Sequence, residues 1–251
     1  MLAQWFFAIC ILYNAFAVAG AEPNPERFRP AQKAWGLAAS ALLTEGNRER
    51  HDLLGGGVRT EQRIKILSQR LNQWWDVSDR ASLLQVLAWI DEGGHRRDFA
   101  LVGERVAPLD AQQFEAALSR AALDENRTHS LVIARDYYQK LGEKSLVGWD
   151  YARYISMCRW GYLVGYLTEP EAWERIMRAA RIIQSTFVSW EELGQNYLIG
   201  REFWSYEQTR TTGAYYRAAY RRLLENPNSP WNRIPWNLDL RDSAIARPIR
   251  F

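Results

Sequence analysis

Three charged residues on one predicted helix, at about residues 149–166, are the first candidates for chemistry. Asp150 and Arg153 stand three positions apart, and residues at that spacing share a helix face and can form an ion pair. Arg159 follows six positions later, which is about 240° around the helix axis and therefore on another face. The first two can act together, whereas Arg159 has to find its partners elsewhere.

A second polar group lies on the predicted helix that follows Ser189. Glu192 and Asn196 are four residues apart, and Arg201 comes five residues later, so one broad side of this helix presents an acid, an amide and a guanidinium group. A carboxylate beside a fixed guanidinium can bind an anion or carry out acid–base chemistry. The candidate binding residues are therefore Asp150, Arg153, Arg159, Glu192, Asn196 and Arg201, and no catalytic role is assigned to any of them.

The same residues have a structural interpretation, which the sequence leaves open. Glu192 can cap its helix, and buried arginines can form ion pairs or stack on tryptophan rings. The chain is rich in tryptophan, with twelve residues of that type. On this interpretation the polar residues hold the fold together and bind nothing.

The remaining motifs indicate neither a metal, a cofactor nor a nucleophile, and we expect none. The three histidines are too scattered for a metal motif, and His95 with Asp98 contributes to a site only if the fold assembles one. Cys158 has no histidine in its own segment and is expected to be a buried thiol. The Gly55–Gly57 run lacks the Lys-Ser/Thr of a phosphate-binding loop and is interpreted as a flexible loop.

The elements that must position these residues are predicted to be helical almost throughout. Apolar residues recur at helical spacing, and no stretch alternates as a strand would. Thr168 with Glu171, and Ser189 with Glu192, have the spacing of capping boxes at helix starts, and Thr128 is predicted to open another helix. The predicted fold class is all-α, an irregular bundle of about eight helices.

An extended tail is predicted from Trp231 to Phe251. The last predicted helix stops near Leu224, before two prolines that forbid its continuation. Trp231 and Trp236 follow without helical period. They either fasten the tail to the bundle or form an aromatic ligand platform, and we predict that they fasten it.

Residues 1–21 have the pattern of a signal peptide, and residues 22–251 are predicted to form a single domain. The leader has no charged side chain and an apolar stretch of about nine residues, followed by Ala19-Gly20-Ala21. We expect a periplasmic or secreted protein; the alternative is a membrane anchor through residues 5–19. No later apolar run approaches the roughly 20 residues of a membrane helix, so no stable membrane span is expected after the leader is removed.

The charge balance argues against nucleic acid as a partner. The net charge is +3, which is too small a surplus for a clustered basic face. The basic residues are unevenly distributed, however, because residues 208–251 contain eight arginines and only three acidic residues. This end could meet an acidic partner; the alternative is that its arginines lie on solvated faces and reflect the composition of the genome.

A set of distinctive residues runs through the second half of the chain: Trp149-Asp150 with Arg153, Arg159 to Tyr162, Glu171 to Trp173, Ser189 to Gly194, Gly200-Arg201, Phe203-Trp204, Ser229 to Trp231 and Pro235-Trp236. With these residues the chain resembles an uncharacterised bacterial family, the one catalogued as domain of unknown function 1266. The resemblance covers nearly all of the chain after the leader, and the second half is its specific part. The resemblance implies a bacterial source and a mostly helical fold, without an assigned activity, cofactor or catalytic residue. The leader is a departure, since many relatives are expected to lack one.

Two functions follow as hypotheses. The first is a protein-binding module of the bacterial envelope, because an exported helical domain without catalytic spacing fits that class. Such a module can be linked to a toxin or to a secretion system. The alternative is an enzyme that acts on an anionic substrate through the Glu192, Asn196 and Arg201 group. A cleft that gathers these residues with Asp150 favours the enzyme, and a flat apolar patch or groove favours the binding module.

Overall fold

The structure is a computed structural model that describes residues 27–241. The predicted signal peptide, its cleavage point and the last ten residues of the predicted tail lie outside the described residues. Between Arg27 and Arg241 the chain is helical and has no strand. The all-α prediction is confirmed.

The described residues form twelve α-helices and one short 3-10 turn. The helices are α1 (Pro30–Ala38), α2 (Ala41–Gly46), α3 (Glu61–Trp75), α4 (Arg80–Glu92), α5 (Gly94–Val106), α6 (Ala111–Ala121), α7 (Glu125–Leu141), α8 (Val147–Val164), α9 (Glu169–Thr186), α10 (Trp190–Trp204), α11 (Tyr206–Glu225) and α12 (Pro230–Arg233), and the 3-10 turn is Gly142–Lys144. They outnumber the eight or so predicted partly because the chain breaks between α1 and α2 and turns at Gly93 between α4 and α5.

Helix α8 is the centre of the bundle. Fifteen of its eighteen residues are buried, and it packs against α9 and α10 most extensively and against α2, α3, α4 and α5 as well. A helix that is covered on all sides cannot keep a narrow apolar stripe. Its charged residues Asp150, Arg153 and Arg159 are therefore buried and must find partners inside the protein.

Helix starts follow the predicted capping residues in part. Thr168 and Glu171 form the predicted capping box of α9. At the start of α10 the Ser189 hydroxyl accepts the Glu192 amide, but the Glu192 carboxylate accepts the Val188 amide instead of that of Ser189, so the second predicted capping box is incomplete. The prediction that Thr128 opens a helix is wrong, because α7 begins one turn earlier, where the Asp124 carboxylate accepts the Arg127 amide at 2.9 Å.

The tail is fastened to the bundle by its tryptophans, as predicted. Trp231 lies in the short helix α12, donates from Nε1 to the Ala38 carbonyl oxygen at 2.9 Å, and stacks on Trp190. The Trp236 ring meets Trp190 edge to face at a centroid distance of 4.7 Å. The tail beyond α12 has no regular structure up to Arg241.

Helix α1 and the tail hold each other. The buried Gln32 amide donates to the carbonyl oxygens of Asp239 and Arg241 at 3.0 and 2.8 Å, and Trp35 Nε1 donates to the Trp236 carbonyl oxygen at 3.0 Å. Both ends of the described chain are thus joined by hydrogen bonds between residues more than 200 positions apart.

None of the helices between residues 27 and 241 is both long and apolar enough to cross a bilayer.

Candidate functional site

Asp150 caps the start of helix α5 from the side. Its carboxylate is fully buried and accepts the backbone amides of His95 and Arg96 at 3.1 Å each and the Arg96 guanidinium at 3.0 Å. Gly94 allows this approach, because a Cβ atom at that position would lie 2.6 Å from an Asp150 oxygen and its φ of +50° favours glycine. Asp150 therefore fixes α5 on α8.

Arg153 belongs to the same network as Asp150. Its hydrogen-bond partner there is His95, a contact that the sequence spacing did not predict. The Arg153 guanidinium lies between the rings of Trp75 and Trp149, at 4.4 and 4.3 Å from their centroids, and donates to His95 Nδ1 at 2.8 Å. It is 4.0 Å from the Asp150 carboxylate. Burial lowers the pKa of Arg153 to about 10, so it stays charged at neutral pH.

His95 is uncharged at neutral pH. Burial, aided by the Arg153 charge, lowers the pKa of His95 to about 4. Because Nδ1 accepts the Arg153 hydrogen, the proton of the ring sits on Nε2, which has no hydrogen-bond partner among residues 27–241.

Arg159 organises the chain between α2 and α3. Its side chain is fully buried, and it donates to the carbonyl oxygens of Arg50, Leu53 and Leu54 at 2.9, 3.4 and 3.0 Å. It also donates to the hydroxyl groups of Ser40, at 3.0 Å, and of Thr44. This arginine faces away from Asp150, as its spacing predicts, and holds the loop of residues 47–60 in place.

Glu192 and Asn196 both contact the connection between α7 and α8. Glu192 pairs with Lys144 and accepts the Val188 amide at 2.9 Å. Asn196 is buried, accepts the Gly148 amide at 2.8 Å and donates to the Ser145 carbonyl oxygen at 2.7 Å. These two residues fasten α10 to the start of α8.

Arg201 binds the next helix. It lies 4.3 Å from the Tyr216 ring centroid and donates to the Gln208 carbonyl oxygen at 3.0 Å and to the Thr212 hydroxyl. The six candidate residues thus enter separate sets of contacts. Asp150 and Arg153 come together around His95, Glu192 and Asn196 share one junction, and Arg159 and Arg201 each serve another part of the bundle.

A cleft of about 550 Å³ opens where the loop of residues 47–60 meets helix α3. Four arginines line it, with an apolar surface beside them; the lining includes Arg48, Arg50, Arg63, Arg70, Val58, Ile66, Leu67 and Leu163. The side chains of Arg48 and Arg70 are exposed, and neither forms an ion pair or a side-chain hydrogen bond with residues 27–241. Arg50 is partly neutralised by Asp52, with a shortest separation of 2.5 Å.

Glu49 contributes the one carboxylate that lines this cleft in the described part of the chain. Its Oε1 accepts Trp160 Nε1 at 2.8 Å. Burial raises the pKa of Glu49, while the positive charges of Arg159, Arg63 and Arg70 and the Trp160 hydrogen bond act in the opposite direction.

The three consecutive glycines form a tightly packed turn between Glu49 and Arg63. A Cβ atom at Gly56 would come within 2.8 Å of a Glu49 oxygen, and one at Gly57 within 2.1 Å of the Arg63 guanidinium carbon. Gly56 has a φ of +69°, and its carbonyl oxygen accepts Arg63 Nη2 at 2.9 Å. The interpretation of this run as a flexible loop therefore misses its contacts.

The arginine-lined cleft was not predicted, although the sequence carries a usable signal. Arg48, Arg50 and Arg63 flank a glycine run within sixteen residues, and glycine runs mark places where the backbone approaches another group closely. By contrast, three arginines of the basic end that could meet an acidic partner, Arg217, Arg222 and Arg241, form ion pairs. Among residues 27–241, no group of three His, Cys, Asp or Glu side chains is placed to hold a metal.

These features define an all-α protein with a buried charged network on its central helix and an arginine-lined cleft on its surface. The chain belongs to the family described as "Protein of unknown function (DUF1266)", whose model matches residues 70–236. The family resemblance read from the sequence is confirmed. The matched region contains all six candidate residues, and of the four cleft arginines it contains Arg70.

Two curated relatives are themselves uncharacterised. The chain is 25% identical to "Uncharacterized protein YbeU" of Escherichia coli (strain K12) over 174 residues, which is 68% of this chain and 69% of that protein. It is 26% identical to "Uncharacterized protein YbeR" of the same organism over 141 residues, 53% of this chain and 56% of that protein. No solved structure matches.

Proposed function

We propose that this protein is an interaction module of the bacterial envelope that holds an acidic segment of a partner protein in the cleft lined by Arg48, Arg50, Arg63 and Arg70. The observation that carries the proposal is the excess of positive charge in this cleft. Four guanidinium groups line it, against the single carboxylate of Glu49.

The arginines are available to a ligand. Arg48 and Arg70 have no ion pair with the described residues, and guanidinium groups bind carboxylates through two parallel hydrogen bonds. The walls of a concave site also focus the field of its charges. An acidic partner therefore gains affinity here without having to break an internal ion pair of Arg48 or Arg70.

The apolar part of the cleft favours a protein segment over a bare ion. Val58 and Ile66 line the cleft and are 67% and 42% exposed. Covering these side chains removes apolar surface from water, which stabilises a complex with a ligand that has both acidic and apolar groups. A peptide segment with alternating acidic and aliphatic residues has this composition.

The contacts of Glu192, Asn196 and Arg201 support a structural role for these residues rather than catalysis. Glu192 bonds to Lys144, Asn196 to the start of α8 and Arg201 to α11. The three side chains do not gather in one cleft. The enzyme hypothesis based on these three residues therefore has less support than the interaction module.

Binding of an acidic peptide is expected to depend on the cleft arginines. An eight-residue peptide of alternating Glu and Leu, labelled with fluorescein, should bind the protein, and its affinity should fall as salt screens the charges. Replacing Arg48 and Arg70 together with Gln should weaken binding by at least about tenfold, roughly 1.4 kcal/mol. Fluorescence anisotropy in low salt measures both effects.

The matched control replaces Arg120 and Arg221 with Gln, which changes the net charge equally at exposed positions on α6 and α11. This control variant should bind the peptide as the parent does, and a peptide with Lys in place of Glu should not bind. If both double variants lose affinity equally, the loss comes from the change in net charge, and the cleft is not the binding site.

Location in the envelope is supported by residues 1–21 alone. A reporter enzyme that is active only outside the cytoplasm, fused after residue 30, is expected to be active, and the exported chain is expected to begin at Glu22. Mass spectrometry of the exported chain identifies its first residue. An inactive but intact fusion would place the protein inside the cell, and an active fusion that starts at Met1 would indicate an anchor instead of cleavage.

A further inference from the structure

We propose that the part of the cleft next to Glu49 is an oxyanion subsite, in which Arg63 and Arg70, beside the Gly55–Gly57 turn, hold one acidic group of the ligand while Glu49 takes up a proton. The inference rests on the proposed function, because it concerns the same cleft. It identifies the ligand chemistry as a carboxylate or a tetrahedral oxyanion, and it makes Glu49 the residue that sets how strongly the subsite binds.

The geometry places a carboxylate and a guanidinium against one turn. Glu49 Oε2 lies so close to Gly56 that a side chain has no room at that position. The Arg63 guanidinium excludes a side chain at Gly57 in the same way. Trp160 fixes the other Glu49 oxygen at 2.8 Å, and the Gly56 carbonyl oxygen fixes Arg63 at 2.9 Å. Both charged groups are therefore held before any ligand arrives.

Glu49 at present supplies the negative charge of the subsite. The charged and titratable groups that face it are Arg159 on α8, Arg63 and Arg70 on α3, and Tyr216 on α11. Arg159 is committed to the loop carbonyl oxygens and to the hydroxyl groups of Ser40 and Thr44. A ligand oxyanion therefore competes with the Glu49 carboxylate for the positive charges of Arg63 and Arg70.

An arriving anion makes the ionised form of Glu49 less favourable. It repels the Glu49 carboxylate and occupies the guanidinium groups that stabilise it, and both effects raise the pKa of Glu49 above its value in the free protein. Burial already raises that pKa. Binding and proton uptake are therefore linked.

The sign of the linkage is fixed by this scheme. Below the pKa of Glu49 in the free protein, the carboxyl group is uncharged and anion affinity is at its highest. Between that pKa and the higher pKa in the complex, affinity falls by up to about tenfold for each unit of pH. Above both pKa values the affinity is low and constant.

Glu49→Gln tests the inference, because Gln keeps an oxygen for Trp160 and cannot ionise. We expect this variant to bind the Glu-Leu peptide more tightly than the parent at pH 8, with an affinity that is constant from pH 5.5 to 8.5. The parent should lose affinity over that range. Calorimetry in two buffers with different ionisation enthalpies should show proton uptake by the parent, approaching one proton at the midpoint between the two pKa values, and none by the variant.

The control is Glu61→Gln, which removes the same charge from an exposed residue at the start of α3. It should leave the pH dependence of the parent unchanged. Titration with sulfate and with acetate separates the two ligand types, since a tetrahedral oxyanion subsite prefers sulfate and a carboxylate subsite prefers acetate.

The outcomes separate this inference from the proposed function. If the peptide binds through Arg48 and Arg70 but Glu49→Gln keeps the pH profile of the parent, the interaction module stands and the subsite is overturned. If the arginine variants leave binding unchanged, the cleft itself is the wrong place and both proposals fail. Weaker binding by Glu49→Gln at every pH would make Glu49 a contact of the ligand and also overturn the inference.

Discussion

Arg159→Met is expected to lower the free energy of unfolding by about 3 to 5 kcal/mol, because it removes the donor of several buried hydrogen bonds and each buried acceptor left unpaired costs about 1 to 3 kcal/mol. The variant loses five hydrogen bonds and leaves the carbonyl oxygens of Arg50 and Leu54 without a donor, whereas the Leu53 carbonyl oxygen keeps the Gly56 amide. Methionine fills much of the same volume, so the loss reports the polar contacts. Urea denaturation followed by circular dichroism measures it.

Limited trypsin digestion gives a local readout of the same change. The loop of residues 47–60 contains Arg48, Arg50 and Arg59, and it should be cut faster in Arg159→Met than in the parent at a temperature where both are folded. Arg221→Met on the exposed side of α11 is the control and should change stability by less than about 0.5 kcal/mol. If Arg159→Met melts like the parent and its loop resists trypsin, Arg159 does not hold this loop.

Asp150→Asn should have an effect of similar size, about 3 to 5 kcal/mol, since it leaves buried cations without their counter-charge. The change removes the negative charge that faces the Arg96 and Arg153 guanidinium groups at 3.0 and 4.0 Å. The new amide NH₂ group also meets donors, because the carboxylate accepts the His95 and Arg96 amides. The start of α5 is expected to detach first.

Hydrogen exchange of the α5 amides locates the loss, and urea denaturation gives its size. The control is Asp136→Asn, at an exposed position on α7, which should stay within about 0.5 kcal/mol of the parent. Should Asp150→Asn fail to fold, Asp150→Glu keeps the charge and is expected to fold with an intermediate loss. A loss below about 1 kcal/mol for Asp150→Asn, with α5 protected, contradicts the capping role.

Local signals predicted the fold class and several helix ends. Helical periodicity and the Thr168 capping box act through neighbours in the chain, so they can be recognised without tertiary information. Thr128 shows where this reasoning fails, because Asp124 is an equally good capping residue one turn earlier. A choice between two adequate caps depends on packing, which the sequence does not display.

The glycines show the same boundary between local and tertiary information. Gly161 and Gly165 are four residues apart, a spacing that predicts one bare helix face for the close approach of another helix. Gly161 fits this prediction, because a Cβ atom there would lie 2.4 Å from a Leu83 methyl carbon on α4. Gly165 does not, because its φ of +91° makes it the left-handed residue that ends α8. Spacing alone did not separate the two uses.

The cleft was harder to predict than the buried network. Asp150 and Arg153 were linked because they are one helical turn apart, but their partner His95 is 55 positions from Asp150. The cleft brings the loop of residues 47–60 onto Leu163 at the end of α8, and Arg159 is the residue that fixes that loop. Contacts of this range depend on the assembled bundle and not on a motif.

The junction between helix α1 and the tail also bears on the order in which the chain can assemble. The Gln32 amide donates to the carbonyl oxygen of Arg241, 209 positions later in the chain. Helix α1 therefore leaves the ribosome long before its hydrogen-bond partners are synthesised. Until then its polar and aromatic groups have only water or incorrect neighbours, and the final docking closes nearly the whole chain into one loop. Removal of helix α1 or of residues 236–241 should therefore leave the other segment unanchored, and a nascent chain stays open to a chaperone until residues 236–241 emerge.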